Sequence, residues 1–552
     1  MLTRKIAQFA EQDTLDFVAI DGTCIKKPFS DFITFYGGAY GAKGQLQLTE
    51  DPPKIRYKKW SLNKDVSMVA WVPIPFAQLA DVTDPRFKED FILSEQEKVN
   101  LASIHTLVMQ LAEVFLAYNT AASSELEYPR VLMMDMSPSS VLASVAMPTA
   151  KVGLVGYPYD RRQLDEADVI VAMAHPFNNR LGIPSAKAFL RYRAILAAFA
   201  NHDGCTMSER DLARELNVPE HDLRSELDYL ERRGVIERKS ITTSGVKPKI
   251  DISASWDFTV SLFRNICTRL FLKKDSSALQ YKAEDEEGVV RRRWMSPDDL
   301  KFLIGVGLRA LIEKCWEKKI LLYGVIKDSE SRYLTRNYLG VALEMRLYPE
   351  LADLAIPLLP WTDRIFMETL PLADEALEAP WGTIEFDSAY MTLHRERLED
   401  GRTQVAGVMG RIVNHERLFL RCLAQFFLKR DRATPMMGHV IFLDRLAFPE
   451  WDGGHDKDLL IDTPTLGQVR PITYRDRNQT NVGQQIMMYL LSVLTRNHFP
   501  EVIGYPDPLH KADWGAKTVG RRVARAIESS VLSFKANPIT RTFRSIRDSF
   551  RR

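Results

Sequence analysis

Short apolar runs that end in an acidic residue recur along the chain. Phe17–Ile20 leads into Asp21 and Gly22, and Val131–Met134 leads into Asp135. A short apolar run bounded by a turn signal predicts a buried strand. If the two strands are neighbours in one sheet, the two aspartates lie side by side at its edge. Taken alone, each aspartate is more typical of a turn or a helix N-cap than of a functional site.

Apolar residues at helical spacing predict a long helix over Glu95–Tyr118, with Glu113 near the edge of its inward face. A glutamate there is more often solvated than functional. The run Ile320–Ile326 predicts another buried strand, followed by Lys327, which lies either just past the sheet or over the same edge as the aspartates. The other predicted elements are strands at Val66–Val72, Lys151–Val155, Val169–Ala174 and His439–Leu443, a strand with a turn at Phe32–Gly44, and a helix at Ile486–Leu494. Together they predict an α/β or mixed α+β domain.

Residues 185–255 have the element order of a winged helix-turn-helix: a helix, a capped short helix, a tight turn, a second helix and two strands. Ser208 caps the short helix, with Asp211 in a capping-box arrangement, and Gly234 ends the second helix. The predicted bounds are Ala186–Ala200 for the first helix, Leu216–Pro219 for the turn, and Val235 and Lys249–Ile252 for the strands.

The charges of this segment argue against sequence-specific DNA reading. Its second helix, the usual reader of the major groove, is rich in Asp and Glu, which repel phosphates. The basic residues cluster toward the predicted wing and include Arg232, Arg233, Lys247 and Lys249. The segment is therefore predicted to contact a protein or a nucleic-acid backbone, and a plain packing role is an equally good interpretation.

Composition sets the broad class of the protein. The 552 residues are 45% hydrophobic and 26% charged, with a net charge of +2 and five cysteines without a C-x-x-C pair. These values are typical of a globular protein of about three domains in a reducing cytoplasm, without a zinc ribbon or a disulfide framework. No apolar run predicts a signal peptide or a membrane span. There is no P-loop, so ATP-driven movement would need a partner.

A basic C-terminal tail departs from this balanced charge. The segment Lys517–Arg552 holds ten Lys or Arg residues against two acidic ones. Arg521, Arg522 and Arg525 are its candidate DNA contacts. Such a tail is typical of binding to nucleic acid or to an acidic partner surface, and a solvated helix face is the alternative.

Carboxylates gathered at one sheet edge predict a bound cation. Two of them about 4 Å apart repel each other by about 4 kcal/mol at an effective dielectric constant of about 20. Oxygen ligands without a sulfur or histidine set suit Mg²⁺ or Mn²⁺. A pair of such ions stabilises the attacking water and the leaving oxygen in phosphodiester hydrolysis. These residues therefore indicate a metal-dependent phosphoesterase.

Five short motifs resemble, in content and order, those of the NurA nuclease family. They are I-D-G-T at Ile20–Thr23, the helix with Glu113, L-M-M-D-M-S around Asp135, Y-G-V-I-K-D-S-E-S-R-Y-L around Lys327, and G-Y-P-D-P-L-H-K-A-D from Gly504. The resemblance spans about residues 17–517 and is interrupted by the predicted winged helix. It implies an α/β fold with an RNase H-like mixed-sheet nuclease core. It also implies a homodimer that degrades DNA with manganese and acts with HerA, a hexameric DNA-translocating ATPase.

The resemblance implies a role for each matching residue. Asp21 and Asp135 would be paired ligands of two Mn²⁺ or Mg²⁺ ions, with Glu113 as a third ligand. Lys327 would contact the scissile phosphate or the water held by the metal.

The last motif departs from the family pattern Y-P-x-P-L-x-x-A-H. Asp513 stands where the family has a histidine near the metals. Asp513 can ligate a hard cation in its place, or His510 can substitute from one turn earlier on a helix. In the third interpretation the site is weakened.

The chain is therefore divided into four predicted regions: an N-terminal core part (1–184), the winged-helix insertion (185–255), a C-terminal core part (256–516) and a basic helical tail (517–552). The leading hypothesis is a metal-dependent deoxyribonuclease that works with a HerA-type ATPase in DNA end processing or phage defence. The alternative is a catalytically weak adaptor that docks on the ATPase and regulates it. A transcription regulator is a third hypothesis, and the acidic second helix speaks against it.

Overall fold

The computed structural model describes most of the chain, and every statement below refers to the described residues. These are 13–28, 32–48, 53–58, 67–75, 78–79, 82, 95–123, 129–145, 147–177, 187–239, 245–284, 288–327, 330, 332, 349–351, 362–373, 381–387, 391–397, 403–410, 418–429, 436–448, 456–458, 461–463, 467–469, 473–475, 482–495 and 505–536. Among the helices in these ranges, none combines the length and the apolar character needed to cross a membrane.

The first half of the chain alternates strands and helices. Its first elements are β1 (Thr14–Pro28), β2 (Phe32–Gln47), β3 (Lys54–Tyr57), β4 (Ser67–Pro75), α1 (Glu95–Ala122), β5 (Val131–Met134) and α2 (Pro138–Ser144). They are followed by β6 (Pro158–Tyr159), β7 (Arg162–Gln163), α3 (Glu166–Ala174), α4 (Lys187–Asn201), β8 (Met207–Ser208), α5 (Glu209–Glu215), α6 (Glu220–Arg232), β9 (Ile236–Lys239), β10 (Gly245–Pro248) and α7 (Ile252–Cys267).

The second half contributes more strands than helices. It forms β11 (Gln280–Glu284), β12 (Val290–Trp294), α8 (Pro297–Glu317), β13 (Leu321–Ile326), α9 (Asp363–Ala373), β14 (Trp381–Asp387), β15 (Met391–Arg397), β16 (Thr403–Gly410), β17 (Phe419–Lys429) and β18 (Met436–Leu446). The last elements are β19 (Asp456–Asp458), β20 (Ile461–Thr463), β21 (Gly467–Val469), β22 (Thr473–Arg475), α10 (Val482–Leu494) and α11 (Asp507–Ala536).

One mixed sheet of nine strands organises the fold. Its order is β14-β17-β18-β13-β5-β1-β2-β3, and β4 also pairs with β2. β1 runs antiparallel to β2 and parallel to β5, and β5 runs parallel to β13. The molecule is thus a mixed α/β protein built on a mixed central sheet, as the sequence predicts at this coarse level.

The predicted central strands and the long helix are confirmed, with longer bounds. Phe17–Ile20 lies within β1, Val131–Met134 is β5, and the predicted helix is α1. β1 differs from expectation because it continues past Gly22 to Pro28, so Gly22 is a strand residue rather than a turn. Phe32–Gly44 likewise belongs to one continuous strand, β2.

Three predicted strands are wrong. Val169–Ala174 belongs to helix α3, which Asp165 and Asp168 cap together. Periodicity does not distinguish a buried strand from a buried helix in such a short apolar run. Lys151–Val155 forms the end of a 3₁₀ turn and a further turn. Lys249–Ile252 follows β10, and there Asp251 caps α7 by accepting a hydrogen bond from the Ala254 N–H at 3.0 Å.

Two long helices cover opposite faces of the sheet. Gly22 faces α1, and the neighbouring Thr23 packs against Gly520 of α11, because successive strand residues point to opposite faces. Helix α11 is further held by Asp507, which accepts a hydrogen bond from the Tyr57 hydroxyl, and by Glu528, which pairs with Lys27. The predicted boundary at residue 516 falls inside this single helix.

Residues 187–248 form a compact set of helices with a small sheet. Ser208 caps α5 by accepting from the Asp211 N–H, as predicted, and the chain leaves α6 near Gly234. β8, β10 and β9 form a three-stranded antiparallel sheet in that order. The helices and hairpin expected from the sequence are therefore present, with the second strand at β10.

Candidate active site

Asp21 and Asp135 lie side by side on the central sheet. In the parallel pairing of β1 with β5, Ile20 is opposite Met134, so the next residues of both strands are neighbours. The Asp135 N–H donates to the Ile20 carbonyl at 3.0 Å, which fixes this register. Asp21 is buried, with 6% of its surface exposed. The predicted adjacency of the two aspartates is confirmed.

Glu113 reaches this edge from α1 because Gly22 leaves room for it. A Cβ at Gly22 would lie 2.6 Å from Met109 Cγ and 2.7 Å from Glu113 Oε1. Glu113 is only 2% exposed, although the sequence pattern favoured a solvated position. Gly22 therefore leaves the space that the buried Glu113 carboxylate occupies.

Helix α11 brings Asp513 to the same place from the opposite face. Gly515 sits directly on the ring of Tyr40, which is paired with Asp21 across β1 and β2. Asp513 accepts a hydrogen bond from Lys517 at 2.8 Å, one helical turn later. His510 lies on the exposed side of the helix. We call Asp21, Glu113, Asp135 and Asp513 the carboxylate cluster.

Burial and mutual repulsion dominate the electrostatics of the carboxylate cluster. Burial, then the charges of Asp135 and Asp513, raise the pKa of Asp21 to about 8. Burial, then Asp21 and Asp135, raise the pKa of Glu113 well above its ordinary value. Burial also raises the pKa of Asp135, against the opposing effect of Lys327. The charged forms of Asp21, Glu113 and Asp135 are thus disfavoured in the folded protein.

Lys327 and Tyr505 border the cluster next to Asp135. Lys327 follows β13, and its Nζ lies 4.7 Å from the centre of the Tyr505 ring. Tyr505 is buried, and its hydroxyl makes no hydrogen bond of normal length with another described residue. It lies near enough to Asp135 to lower the pKa of that carboxyl, while burial raises the pKa of Tyr505. Lys327 therefore lies over the edge, which was one of its two predicted positions.

Sequence reasoning missed two residues of this site. Tyr505 lies in the last motif and Lys517 begins the basic tail, but neither of them was predicted to belong to the site. The signal that could have found Lys517 is its spacing of four residues from Asp513, which places both on one helix face.

The donor chemistry of the cluster fits a hard divalent cation. All of its ligands would be carboxylate oxygens. A bound cation would attract these carboxylates and offset the repulsion that, together with burial, raises the pKa values of Asp21 and Glu113. The buried Tyr505 hydroxyl is a further oxygen without a normal hydrogen bond to a described residue. Among the described residues, however, no three or more His, Cys, Asp or Glu side chains are gathered as a preformed ion site. The side chains would have to close on the ion.

A buried polar network holds the loop that follows Asp135. Asp444, inside β18, accepts from the Ser137 hydroxyl at 2.8 Å and from the Ser139 N–H at 2.7 Å. Arg421 of β17 donates to the Ser139 hydroxyl at 2.7 Å and lies 3.9 Å from Asp444. Asp444 therefore fixes the Ser137 side chain and the backbone at Ser139, just beyond Asp135.

Most of the predicted DNA contacts in residues 232–249 are bound to other residues of the same chain. Arg233 pairs with Glu166, and Lys247 Nζ lies 2.6 Å from Glu237 Oε1. Arg232 donates to the Asp228 carbonyl at 3.1 Å, and Lys249 is exposed.

The predicted contacts on α11 have a different environment. Arg521, Arg522 and Arg525 are all exposed, and in the described part of the chain no acidic side chain pairs with them. The residues of the predicted tail after 536 lie outside the described residues.

Comparisons with known proteins give a distant structural likeness. No family model and no curated protein matches the chain. The NurA nuclease from Sulfolobus solfataricus is 12% identical with a TM-score of 0.35, over 95% of this chain and 86% of that one. A NurA structure with manganese is 13% identical with a TM-score of 0.27, over 93% and 89%. At such values the likeness does not establish a family, and the functional argument rests on the site itself.

Proposed function

We propose that the protein is a metal-dependent deoxyribonuclease of NurA type. The observation that carries the proposal is the convergence of Asp21, Glu113, Asp135 and Asp513 from two strands and two helices. Burial and neighbouring carboxylates raise the pKa values of Asp21 and Glu113, which makes their charged forms costly to the fold, and ligand binding is the usual reason for such a cluster. The mixed central sheet and the order of the motifs are consistent with this function.

Each residue has a role in the proposed reaction. Asp21, Asp135 and Asp513, with Glu113 beneath them, would hold one or two Mn²⁺ or Mg²⁺ ions. When bound, such ions activate water and stabilise the leaving oxygen in phosphodiester hydrolysis. Lys327, which faces Asp135, would bind the scissile phosphate through its ammonium group.

The test compares two aspartates of the same strand. Asp21→Asn is expected to abolish Mn²⁺-dependent degradation of linear DNA. Asp16→Asn is the matched control: Asp16 lies five residues earlier on β1 and pairs with Lys58 at 3.3 Å. We expect the control to retain activity. If Asp21→Asn and Asp135→Asn both degrade DNA as the unmodified protein does, the proposal is wrong.

The proposal extends to partners and context. We propose that the protein forms a homodimer and works under a HerA-type hexameric ATPase in DNA end processing or phage defence. Residues 187–248 are proposed to be a winged helix that contacts a protein or a nucleic-acid backbone. Mass measurement of the protein alone, and co-purification with a HerA-type ATPase encoded beside it, test these points.

A second candidate function is a weakly catalytic adaptor that regulates the ATPase. The observation that favours it is the pairing of Asp513 with Lys517, which occupies the carboxylate that replaces the family histidine. Lys517→Gln releases Asp513. An adaptor would change the ATPase rate of its partner and cleave no DNA with Mn²⁺, before or after this change. If the unmodified protein cleaves DNA with Mn²⁺ and Asp513→Ala cleaves it more slowly, the adaptor function is excluded.

A further inference from the structure

One exposed face of α11 leads away from the carboxylate cluster. It carries Trp514, Lys517, Arg521 and Arg525, and steps of three and four residues keep these side chains on the same side of the helix. Trp514 directly follows Asp513 and is 69% exposed, the highest value among the exposed large hydrophobic residues that the structure describes. An indole ring that is exposed to water beside the carboxylate cluster suggests a ligand that covers it.

The charges of this face suit a polyanion. Successive cations four residues apart are separated by about 6 Å along the helix axis. Two acidic residues of the helix are engaged elsewhere, since Asp507 binds the Tyr57 hydroxyl and Glu528 pairs with Lys27, and Asp513 pairs with Lys517 of this face. Arg521 and Arg525 therefore present their charge to solvent in the described structure. A row of guanidinium groups of this kind binds phosphates.

The aromatic ring narrows the class of ligand. An exposed indole can stack on a base only where the face of that base is open, which is the case in a single strand and not inside a duplex. We infer that this face of α11 is a single-strand DNA subsite. One base stacks on Trp514 next to the carboxylate cluster, and the following phosphates lie along Arg521 and Arg525. The inference rests on the proposed nuclease function and specifies the form of DNA that reaches the site.

The test measures binding without cleavage. A short fluorescein-labelled oligothymidylate and a blunt duplex are titrated by anisotropy in EDTA. Trp514→Ala is expected to weaken oligothymidylate binding about tenfold, the size of one lost base stack, and to leave duplex binding unchanged. Trp514→Phe retains most of the affinity because the aromatic face remains. Trp71→Ala is the matched control, since Trp71 is the other exposed tryptophan among the described residues, at 46%, and lies on β4.

The outcomes separate this inference from the proposed function. Because no metal is present, the binding result holds whether or not the protein cleaves DNA, and a separate Mn²⁺ assay reports on cleavage. Equal oligothymidylate affinity of Trp514→Ala and the unmodified protein would overturn the inference, as would equal losses on both DNA forms. If Trp514→Ala instead changes the molar mass in light scattering and leaves DNA binding intact, the ring belongs to a self-association surface and the inference is wrong.

Discussion

The carboxylate cluster and the small sheet of residues 207–248 differ in how their ionisable side chains are arranged. In the cluster, burial and then the neighbouring carboxylates raise the pKa values of Asp21 and Glu113. In the small sheet and its helices, Arg238 lies 2.7 Å from Asp228, and Lys247 lies 2.6 Å from Glu237. One region gathers acidic groups away from water, and the other pairs opposite charges at the surface.

This difference separates charges that serve a ligand from charges that serve the fold. Surface ion pairs contribute little to stability, but each one occupies a cation that would otherwise bind phosphate. Ionising several neighbouring buried carboxyl groups destabilises the metal-free protein, and a bound cation offsets that cost. We therefore expect metal binding at the cluster and only weak DNA contact at the small sheet.

The largest effect is expected from Asp135→Asn. It removes an oxygen ligand and should lower Mn²⁺-dependent cleavage by about a hundredfold or more, the scale of losing one transition-state contact. The same change removes a carboxyl group whose charged form is disfavoured by burial, so the metal-free protein should melt at a higher temperature than the unmodified one. A drop in both activity and metal-free stability would indicate a folding residue instead.

Gly22→Ala is expected to have the next largest effect. Its Cβ would enter the space of Met109 and Glu113, which we expect to destabilise the protein by about 1–3 kcal/mol through overpacking. Gly41→Ala is the control, because a Cβ there would lie 3.5 Å from Val18 Cγ1, an ordinary contact. Denaturant unfolding distinguishes the two, and equal stabilities would show that Gly22 has no packing role.

A smaller effect is predicted for the pH dependence of stability in the metal-free protein. The pKa of Asp21 rises from 3.8 to about 8 on folding, so the folded state holds a proton that the unfolded state releases. This stabilisation is complete below pH 3.8 and is lost as the pH rises through about 8. Melting in EDTA at pH 6 and pH 9 should show a larger fall for the unmodified protein than for Asp21→Asn. Parallel curves would contradict the raised pKa.

The smallest effect is expected at Lys247. Because its Nζ already contacts Glu237, Lys247→Gln should leave DNA affinity and its salt dependence unchanged. Arg521→Gln, by contrast, should weaken binding and reduce the salt slope by about 1. If Lys247→Gln weakened DNA binding and Arg521→Gln did not, the DNA contact would lie at the small sheet and not on α11.

The sequence predicts the centre of the fold better than its periphery. The runs before Asp21 and Asp135 are apolar throughout, because their strands are buried on both faces, and such runs identify buried strands well. The same apolar signal fails at Val169–Ala174, where the capping residue Asp165 selects a helix. Local capping decided the structure there, and hydrophobic content alone did not.

The site was predictable only in part, because tertiary packing completes it. The adjacency of Asp21 and Asp135 follows from strand order. The burial of Glu113 depends on the space above Gly22, which periodicity does not report. Asp513 reaches the cluster because Gly515 lets α11 close on Tyr40, a contact between residues far apart in the chain. The roles of these residues stay predictions.

Calorimetric titration with Mn²⁺ at pH 8 tests the central claim most directly, since it measures binding at the carboxylate cluster without cleavage. The unmodified protein should bind Mn²⁺, and Asp21→Asn should bind at least about tenfold more weakly, a loss of about 1.4 kcal/mol. The control Asp16→Asn should bind like the unmodified protein. Equal Mn²⁺ affinity in the unmodified protein and Asp21→Asn, or no binding to either, would contradict the claim that these carboxylates hold a cation.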